Sequence, residues 1–561
     1  MTGRLQRGEY HDFLIIGAGV GGLYQLHRLR GLGADVLVVD RNADVGGTWF
    51  QNRYPGCRFD SESYSYGYSF SEELLREWSW SEHFAAQGET LHYLEHVADR
   101  LDLRRDIEFG RTVTTLTFDD ADSTWSAVLD NGRLLRCRFV ITAIGVLSTP
   151  TRPRYPGMDR FEGVSFHTFD WPHEPLDLAG KRVAIIGTGA TGVQIIPAIA
   201  DKVAELVVYQ RRPNWCAPIH NRPITPEEMD EIRARYDEIF DRCAQTPGGF
   251  IHGPDPRAFS DTPKAERHAF WERLYNSPGF EKWLGNFREI LMDDDANAEF
   301  SAFVAAKIRA RVHDQTVAEK LIPKDHGFGV QRVPLETGYY EAYNRSNVHL
   351  VDISDTPIVE VTSHGIRTTD SDREFDIIIY ATGFDAVTGA FDRIEVTGSG
   401  GRTLRETWAD DPATYLGIFV HGFPNLIMVA GPQAASNSTN FPRALEAIVD
   451  WTTELCAHLL ALGIERVEAT EDAQAEWAAE IRQLYAGLLL RKAKSWFTGY
   501  NENVDGHNRV RHLLYNGGLP RYRKRLAAIQ AEGYPGLCLS TVGTGEAELT
   551  MADTAAPREH L

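Results

Sequence analysis

Two strand–turn–helix–strand units with glycine-rich turns constrain the fold of this chain more than any other feature. The first unit spans residues 12–40 and places Gly-Ala-Gly-Val-Gly-Gly after the apolar run FLII. The second spans residues 181–212 and places Gly-Thr-Gly-Ala-Thr-Gly after VAII. Each has the order and spacing of a dinucleotide-binding βαβ unit. The sequence therefore predicts an α/β protein with two Rossmann-like dinucleotide-binding domains.

The residues of each turn have distinct physical roles in a dinucleotide site. The first glycine allows a tight turn, the second lets the backbone approach the pyrophosphate, and the third lets helix and strand pack closely. The pyrophosphate then faces free N–H groups and the positive end of the helix dipole. The predicted turn residues are Gly17, Gly19 and Gly22 in the first unit and Gly187, Thr188, Gly189 and Gly192 in the second.

The residues that close the two units distinguish their ligands. Asp40 closes the first unit, and its carboxylate can accept hydrogen bonds from a ribose diol, which suits FAD or NAD. Arg211 and Arg212 close the second unit, and guanidinium groups bind a 2′-phosphate that a carboxylate would repel. The first site is therefore predicted to bind FAD and the second NADPH. Two such sites in one polypeptide are typical of hydride transfer from nicotinamide to flavin.

The net charge and the cysteine content limit which binding partners and which cellular compartment we expect. Lys plus Arg number 58 and Asp plus Glu number 79, and the net charge of −21 argues against nucleic acid and anionic membranes as partners. The six cysteines lie far apart with no CxxC pair, so we expect buried, reduced thiols, no redox dithiol and no metal site. Neither a signal peptide nor an apolar run of membrane-spanning length is evident. We expect a cytoplasmic monomer or weak homo-oligomer.

The two units are interleaved with other segments. Between about residues 222 and 325 the sequence shows helical periodicity and many charges, and strand-like runs return at NVHLVDI and DIIIYATGF. We therefore predict an interrupted, two-part arrangement of both domains. Its segments are an FAD-binding domain (1–145 and 386–540), an NADPH-binding domain (146–221 and 329–385), a mostly helical insertion (222–328) and a flexible tail (541–561).

Short motifs in a fixed order carry a resemblance to a known family. Residues 46–60 match [A/G]GxWxxxx[F/Y]P[G/M]xxxD, and residues 161–172 match FxGxxxHxxxW(P) at Phe161, Gly163, His167 and Trp171. Residues 381–385 read ATGFD. From about residue 10 to about residue 540 the chain thus resembles the type I Baeyer–Villiger monooxygenases. Trp171 followed by proline favours this branch over the flavin N- and S-monooxygenases, which carry Tyr or Phe there.

The resemblance implies a reaction. NADPH reduces FAD, the reduced flavin and O₂ form a C4a-peroxyflavin, and one oxygen atom is inserted beside a ketone carbonyl to give an ester or lactone. It also implies that Arg332, which precedes the stretch YYEAYNR at 339–345, is the cation that stabilises the negative charge of the peroxide and the adduct. Asp60, the last residue of the first motif, would hold this arginine by a charge-assisted pair.

The resemblance assigns further residues to the cofactors. Thr48, Trp49, Asp60 and Tyr66 would line FAD, and Arg58, Gln331 and Trp496 would contact NADPH. His167 would lie where the two domains meet and couple their motion, rather than transfer a proton. Phe161 and Trp171 would serve packing.

Two departures from the family affect cofactor preference and substrate. Gln331 stands where the family usually has a lysine that binds the 2′-phosphate, and Arg212 would compensate. Residues 501–508 lack the Pro-Gly-Lys element of the family's active-site loop, which leads us to expect a bulky, cyclic or long-chain ketone. We expect the ketone pocket to come from the helical insertion, the 430–445 segment and the 495–510 loop. Two alternatives remain open at this point, namely a flavin N- or S-monooxygenase and a non-catalytic flavin redox sensor.

Overall fold

The computed structural model describes residues 9–541. The first eight residues, where no signal peptide is expected, and the predicted tail from 542 onward lie outside this range. Within it, the strands are β1 (Glu9–Ile16), β2 (Val36–Asp40), β3 (Ile107–Phe109), β4 (Val113–Asp119), β5 (Thr124–Leu129), β6 (Leu134–Thr142), β7 (Val164–His167), β8 (Arg182–Ile186), β9 (Glu205–Gln210), β10 (Ala217–Pro218), β11 (Leu335–Glu336), β12 (Val348–Asp352), β13 (Ile358–Val361), β14 (Gly365–Thr368), β15 (Asp372–Glu374), β16 (Ile377–Tyr380), β17 (Glu395–Thr397), β18 (Leu426–Met428), β19 (Arg466–Ala469) and β20 (Leu537–Ser540).

Helices connect and cover these strands. They are α1 (Val20–Gly31), α2 (Thr48–Gln51), α3 (Ser63–Tyr66), α4 (Glu72–Glu77), α5 (Gln87–Arg100), α6 (Ala190–Ile199), α7 (Pro226–Arg233), α8 (Tyr236–Gln245), α9 (Lys264–Asn276), α10 (Glu281–Leu284), α11 (Asp294–Arg311), α12 (Gln315–Leu321), α13 (Tyr339–Ala342), α14 (Leu404–Thr407), α15 (Phe441–Leu462), α16 (Glu471–Ala486) and α17 (Leu519–Ala531).

The first glycine-turn unit contributes β1 and β2 to an eight-stranded sheet. The strand order is β17-β4-β5-β6-β1-β2-β3, and β18 also pairs with β6. β1 pairs in parallel with β2 and with β6, in registers that oppose Phe13 to Val36 and to Phe139. The last four residues of β1 are buried, as expected for a parallel strand covered on both faces. α1 and α15 pack together beside this sheet.

The second unit lies within a five-stranded sheet of order β12-β9-β8-β16-β7. Every neighbouring pair in this order is parallel. The unit itself contributes β8, α6 and β9, and the later strand-like runs supply β12 and β16. The α/β architecture with two dinucleotide units is thus confirmed.

The segment between the two parts of the second sheet is mostly helical. α7 to α12 cover residues 226–321, and the short parallel pair of β10 and β11 closes the segment at its base. Aromatic side chains from several of these helices, including Trp271, Phe300 and Phe303, form its core. The mostly helical character is as predicted, whereas the exact domain boundaries stay a prediction.

The cysteines correct one expectation. Five of the six are buried, but Cys538 on the terminal strand β20 is exposed. β20 pairs only with β19 in an outlying two-stranded sheet, which explains why a residue there escapes the core. None of the helices within residues 9–541 combines the length and the apolar character that a bilayer span requires.

Candidate functional site

The first glycine turn has no room for a side chain at its first and third glycines. Gly17 has φ +107°, and a Cβ on it would lie 2.4 Å from the carbonyl oxygen of Ala143. A Cβ on Gly22 would lie 1.8 Å from the carbonyl oxygen of Gly17, so α1 can approach the turn only with glycine there. The cradle that a dinucleotide pyrophosphate requires is therefore present at the N-terminus of α1.

Asp40 lies at the carboxyl end of β2, beside this turn. Its Oδ2 accepts a hydrogen bond from the Ala18 N–H at 2.6 Å, and its Oδ1 accepts one from the Asn42 N–H at 2.7 Å. Burial raises the pKa of Asp40, and the two backbone hydrogen bonds and the charge of Arg41 oppose that rise. The carboxylate is held in place with acceptor capacity left, as ribose recognition requires.

A cavity of about 740 Å³ extends from this turn into the helical segment. It brings together most of the residues that we assigned to FAD and to chemistry and two that we assigned to NADPH, although they come from distant parts of the chain. Those lining it are Gly17, Gly19, Asp40, Thr48, Trp49, Arg58, Asp60, Tyr66, Arg332 and Trp496. Gly22 does not line the cavity, because it faces the Gly17 carbonyl oxygen within the turn. We call this space the first cavity.

Arg332 and Asp60 meet in the first cavity. The Arg332 Nη2 lies 2.9 Å from the Asp60 Oδ2, although the two residues are 272 positions apart. The guanidinium also stacks over the ring of Phe280, at 4.6 Å from its centre. Burial raises the pKa of Asp60 to about 6, and the charge of Arg332 opposes this. Arg332 is thus a cation fixed by a buried carboxylate and an aromatic face at the cavity wall.

The remaining residues of the first motif support the cavity from its other side. Thr48 begins α2, and the indole N–H of Trp49 donates to the Tyr66 hydroxyl at 3.0 Å. Arg58, which we assigned to NADPH, also lines the first cavity, and its Nη1 donates to Glu82 at 2.9 Å. Trp496, also assigned to NADPH, lines the first cavity as well. Both residues therefore line the first cavity and not the second, and their contact with NADPH stays a prediction.

The second turn repeats the backbone geometry of the first. Gly187 has φ +114°, and its Cβ would lie 2.3 Å from the carbonyl oxygen of Ala381. A Cβ on Gly192 would lie 2.3 Å from the carbonyl oxygen of Gly187. Beside this turn lies a second cavity of about 240 Å³, lined among others by Gly187, Thr188, Gly189, Arg211, Arg212 and Gln331.

Gln331 and Arg332 are consecutive yet line different cavities. Asn214 lines the second cavity, and its side-chain amide donates to the Arg332 carbonyl oxygen at 3.1 Å. In the same wall, the Thr188 hydroxyl donates to the Arg212 carbonyl oxygen at 3.1 Å. The backbone at 331–332 therefore forms part of the partition between the two cavities.

The fingerprint motif includes β7, the edge strand of the second sheet, and the loop that follows this strand. His167 ends β7 beside Tyr380, and its Nδ1 accepts a hydrogen bond from the Phe169 N–H at 3.1 Å. Burial lowers the pKa of His167 to about 4, so the ring is neutral at pH 7 and supplies no proton there. The Phe169 carbonyl oxygen accepts from Gln51 of α2 at 2.7 Å, which ties the motif to the first cavity.

Other motif residues pack as expected. Trp171 is buried and lies edge-on to Phe166, at 5.1 Å between ring centres. A Cβ on Gly163 would lie 2.6 Å from the carbonyl oxygen of Asp376, so glycine lets β7 approach its neighbour. Phe161 packs against the apolar cluster beside the second sheet.

The sequence reasoning missed several lining residues of the first cavity. Phe280, Trp283 and Leu291 come from the helical segment, and Phe441 and Leu514 come from later loops and helices. The three segments expected to form the pocket do contribute to it, but aromatic residues on helices look like core residues in a sequence. The contact between Glu502 and Arg211 was also missed.

Comparisons with known proteins agree with this geometry. Residues 14–246 match the family model described as pyridine nucleotide-disulphide oxidoreductase. The chain is 44% identical over 535 residues to the 2-oxo-Δ³-4,5,5-trimethylcyclopentenylacetyl-CoA monooxygenase of Pseudomonas putida, which covers 94% of this chain and 98% of the relative. It is 42% identical to the methyl acetate-forming acetone monooxygenase of Gordonia sp. (strain TY-5), covering 94% and 99% respectively.

A solved structure is similar over nearly the whole chain. The crystal structure of OTEMO in complex with FAD and NADP superposes with a TM-score of 0.92 at 44% identity, covering 95% of this chain and 100% of that one. A more distant relative, 37% identical, is the phenazine N-monooxygenase PhzNO1 of Lysobacter antibioticus, with 94% of this chain and 97% of the relative covered.

Proposed function

The chain belongs to the type I Baeyer–Villiger monooxygenases, and we propose that within this family it oxygenates uncharged ketones with a bulky, cyclic or long-chain carbon skeleton. It is an FAD- and NADPH-dependent enzyme rather than a redox sensor, because its relatives at 38–44% identity over nearly the full chain are monooxygenases. The observation that carries the substrate proposal is the pairing of the fixed cation Arg332 with the apolar helical end of the first cavity.

The two cofactors supply the difficult chemistry when bound, FAD for oxygen transfer and NADPH for reducing equivalents. The protein then has to stabilise negative charge on the reacting oxygens, which a preorganised cation does without reorganising. Arg332 fits this role because it cannot lose its proton at physiological pH and because Asp60 fixes its orientation. We assign Arg332 to the stabilisation of that charge and Asp60 to its positioning.

The helical end of the first cavity is apolar. Side chains there include Phe280, Trp283, Leu284, Leu291 and Phe441. Among the described residues lining the whole cavity, the charged side chains besides Asp60 and Arg332 are Asp40, Arg41, Arg58, Arg111 and Arg393. Most of these border the end of β2 or the base of the neighbouring strands, away from the helical end. Burial of a carbon skeleton against these rings stabilises binding by about 25 cal/mol per Å² of apolar area.

We also propose roles for the remaining residues. The first turn with Asp40, Thr48, Trp49 and Tyr66 would hold FAD, and the second cavity would hold the adenosine end of NADPH. Arg211 and Arg212 would bind its 2′-phosphate. The fingerprint residue His167 would couple the two sheets, since its strand pairs within one sheet and its following loop bonds α2 beside the other.

The proposal also covers the cellular location and the oligomeric state. A cytoplasmic location is supported by the five buried thiols, which suit a reducing compartment. A monomer or weak homo-oligomer remains our expectation for the assembly.

A ketone panel tests the proposal. Purified FAD-loaded enzyme is given NADPH and O₂ with cyclohexanone, a fused bicyclic ketone, 2-dodecanone, acetone and a ketone joined to coenzyme A, and products are identified by mass spectrometry. We expect lactone or ester products and the highest kcat/KM among the three larger uncharged ketones. A preference for acetone or for the charged thioester would contradict the substrate proposal, because neither uses the apolar wall alone.

Oxygenation of a heteroatom is the second candidate. The observation that favours it is the 37% identical relative named as a phenazine N-monooxygenase. Adding phenazine and a thioether to the same panel decides between the two. We expect the ketones to be turned over with the higher kcat/KM, and the reverse order would make N- or S-oxygenation the main activity.

A further inference from the structure

We propose that Glu502 sets the cofactor selectivity of the second cavity by competing with the 2′-phosphate of NADPH for Arg211. Glu502 lies in the loop that departs from the family pattern, and none of the roles described above involves it. The inference rests on the proposed assignment of the second cavity to NADPH, and its test separates the two.

Both oxygens of the Glu502 carboxylate are engaged. Its Oε2 lies 3.2 Å from the Arg211 Nη1, and its Oε1 accepts a hydrogen bond from the Tyr500 hydroxyl at 2.9 Å. Burial raises the pKa of Glu502, but the Tyr500 hydrogen bond and the charges of Arg211 and Arg212 lower it further than burial raises it. Glu502 is therefore ionised at neutral pH and occupies a donor that a phosphate would use.

Each arginine of the second cavity already has a carboxylate nearby. Arg211 faces Glu502, and Arg212 lies near Asp325, whose pKa is lowered by its hydrogen bond to His326 and also by the charge of Arg212. Gln331 adds no charge at the position where the family's lysine would add one. A 2′-phosphate entering this cavity consequently meets arginines whose charge is already offset.

The two nicotinamide cofactors differ at this point. NADPH carries a phosphate on the 2′ oxygen, which has to displace Glu502 from Arg211 and is repelled by its carboxylate. NADH carries a 2′-hydroxyl there, which can donate to a carboxylate and leaves the ion pair intact. Glu502 therefore weakens NADPH binding relative to NADH, in the direction opposite to that of Arg211.

The loop can release Glu502 without unfolding. Asn501 is tied to the Phe384 carbonyl oxygen at 3.1 Å, and His507 is tied to Asp385 at 3.0 Å, so the backbone is anchored on both sides. The Glu502 side chain is 39% exposed, which lets it rotate towards solvent when a phosphate takes its place.

Equilibrium binding of adenosine fragments tests this without turnover. FAD-loaded enzyme is titrated calorimetrically with adenosine 2′,5′-bisphosphate and with 5′-AMP. The test variant is Glu502→Gln, which keeps the shape and the hydrogen-bonding oxygen but removes the charge. The matched control is Asp505→Asn, which removes the same charge from the same loop at a residue whose side chain is 95% exposed and lies 3.6 Å from Arg154.

We expect Glu502→Gln to bind the bisphosphate about fivefold more tightly and AMP within about twofold of wild type, as for loss of a partly exposed charge pair. Asp505→Asn should change both affinities by less than about twofold. The KM for NADPH should fall in Glu502→Gln while the KM for NADH does not. An unchanged or weaker affinity of Glu502→Gln for the bisphosphate overturns the proposal, as does an equal gain in Asp505→Asn.

Arg211→Gln separates this inference from the cavity assignment. If it weakens bisphosphate binding while Glu502→Gln does not tighten it, the cavity holds the phosphate and only the competition by Glu502 is wrong. If Arg211→Gln leaves bisphosphate binding unchanged, the assignment of the cavity and the proposal fail together.

Discussion

Replacing Asp60 by asparagine should separate the catalytic value of its charge from its effect on stability. The carboxylate is buried, lies 2.9 Å from Arg332 and has its pKa raised from 3.8 to about 6, chiefly by burial. Asparagine keeps the shape and an oxygen that can accept from Arg332. The variant therefore resembles the enzyme with Asp60 protonated, at every pH.

The effect on the rate follows from the hydrogen bond that loses its charge. A hydrogen bond to a charged group contributes about 1.5–3 kcal/mol. If that energy holds Arg332 in its working position, its loss lowers the rate of ketone oxygenation roughly 10- to 150-fold, at about 1.4 kcal/mol per factor of ten. In wild type the same loss should appear on acidification, with an apparent pKa of about 6.

The effect on stability has the opposite sign. Because the pKa of Asp60 is raised in the folded state, the folded protein binds this proton more tightly than the unfolded chain does. Its contribution to the free energy of unfolding is full below pH 3.8 and falls as the pH rises through about 6, by about 3 kcal/mol in all. Removing one partner of a buried pair usually costs about 3–5 kcal/mol, but the Arg332 side chain is 33% exposed and keeps solvation.

The assay compares wild type and Asp60→Asn from pH 5 to 9, by initial rate and by thermal unfolding at each pH. A matched control is Glu77→Gln, which breaks a surface pair with Arg100 at 3.0 Å outside both cavities. We expect Asp60→Asn to oxygenate the ketone more slowly than wild type at every pH and to show no further fall in rate on acidification through pH 6. We also expect it to be at least as stable as wild type at pH 8. A variant whose rate still falls on acidification through pH 6, or that is strongly destabilised at pH 8, would refute this reasoning.

Four further substitutions have expected outcomes. Arg332→Ala should abolish ester formation but leave anaerobic bleaching of the flavin by NADPH, followed at 450 nm, because it removes only the cation of the first cavity. Gly22→Ala should lose FAD, read from the ratio of flavin to protein absorbance, and Gly192→Ala should keep FAD but lose NADP binding, since each new Cβ would overlap a carbonyl oxygen of its own turn at 1.8 and 2.3 Å. Gly31→Ala, which meets nothing within 4 Å, is the control for both. His167 has its pKa lowered to about 4, so its own contribution to the unfolding free energy falls by about 3 kcal/mol as the pH drops from 6.5 to about 4, against the gain from Asp60 over the same range. Relative to wild type, His167→Gln should therefore gain about 3 kcal/mol of unfolding free energy across this range, in denaturant titrations at successive pH values.

The glycine turns could be predicted from the sequence because their geometry is local. Gly17 and Gly187 adopt φ of +107° and +114°, and both lie against the carbonyl that follows the next parallel strand. Only a residue without Cβ satisfies this arrangement, so the backbone requirement is written directly in the sequence. The strands and helices of both units follow from the same short segments.

The contacts that give the site its chemistry are not local. Arg332 meets Asp60 across 272 positions, and no spacing rule in the sequence relates them. Their pairing was expected only because of the resemblance to a family. Phe280 and Trp283 were missed because an aromatic residue on a helix has the same pattern whether it faces a core or a cavity. Glu502 was missed because its partner Arg211 follows β9, far from residue 502 in the sequence, and no spacing rule relates the two.

The partition between the cavities borders both of the proposed cofactor sites. Gln331 faces the second cavity and Arg332 the first, so one peptide unit joins the nucleotide site to the cation. Asn214, in the wall of the second cavity, holds the carbonyl oxygen of Arg332. A ligand that shifts this wall therefore moves the backbone that carries the guanidinium, whose direction is fixed at its other end by Asp60. We therefore expect a substitution of Gln331 to alter both nucleotide binding and oxygen transfer, because one peptide unit joins it to Arg332.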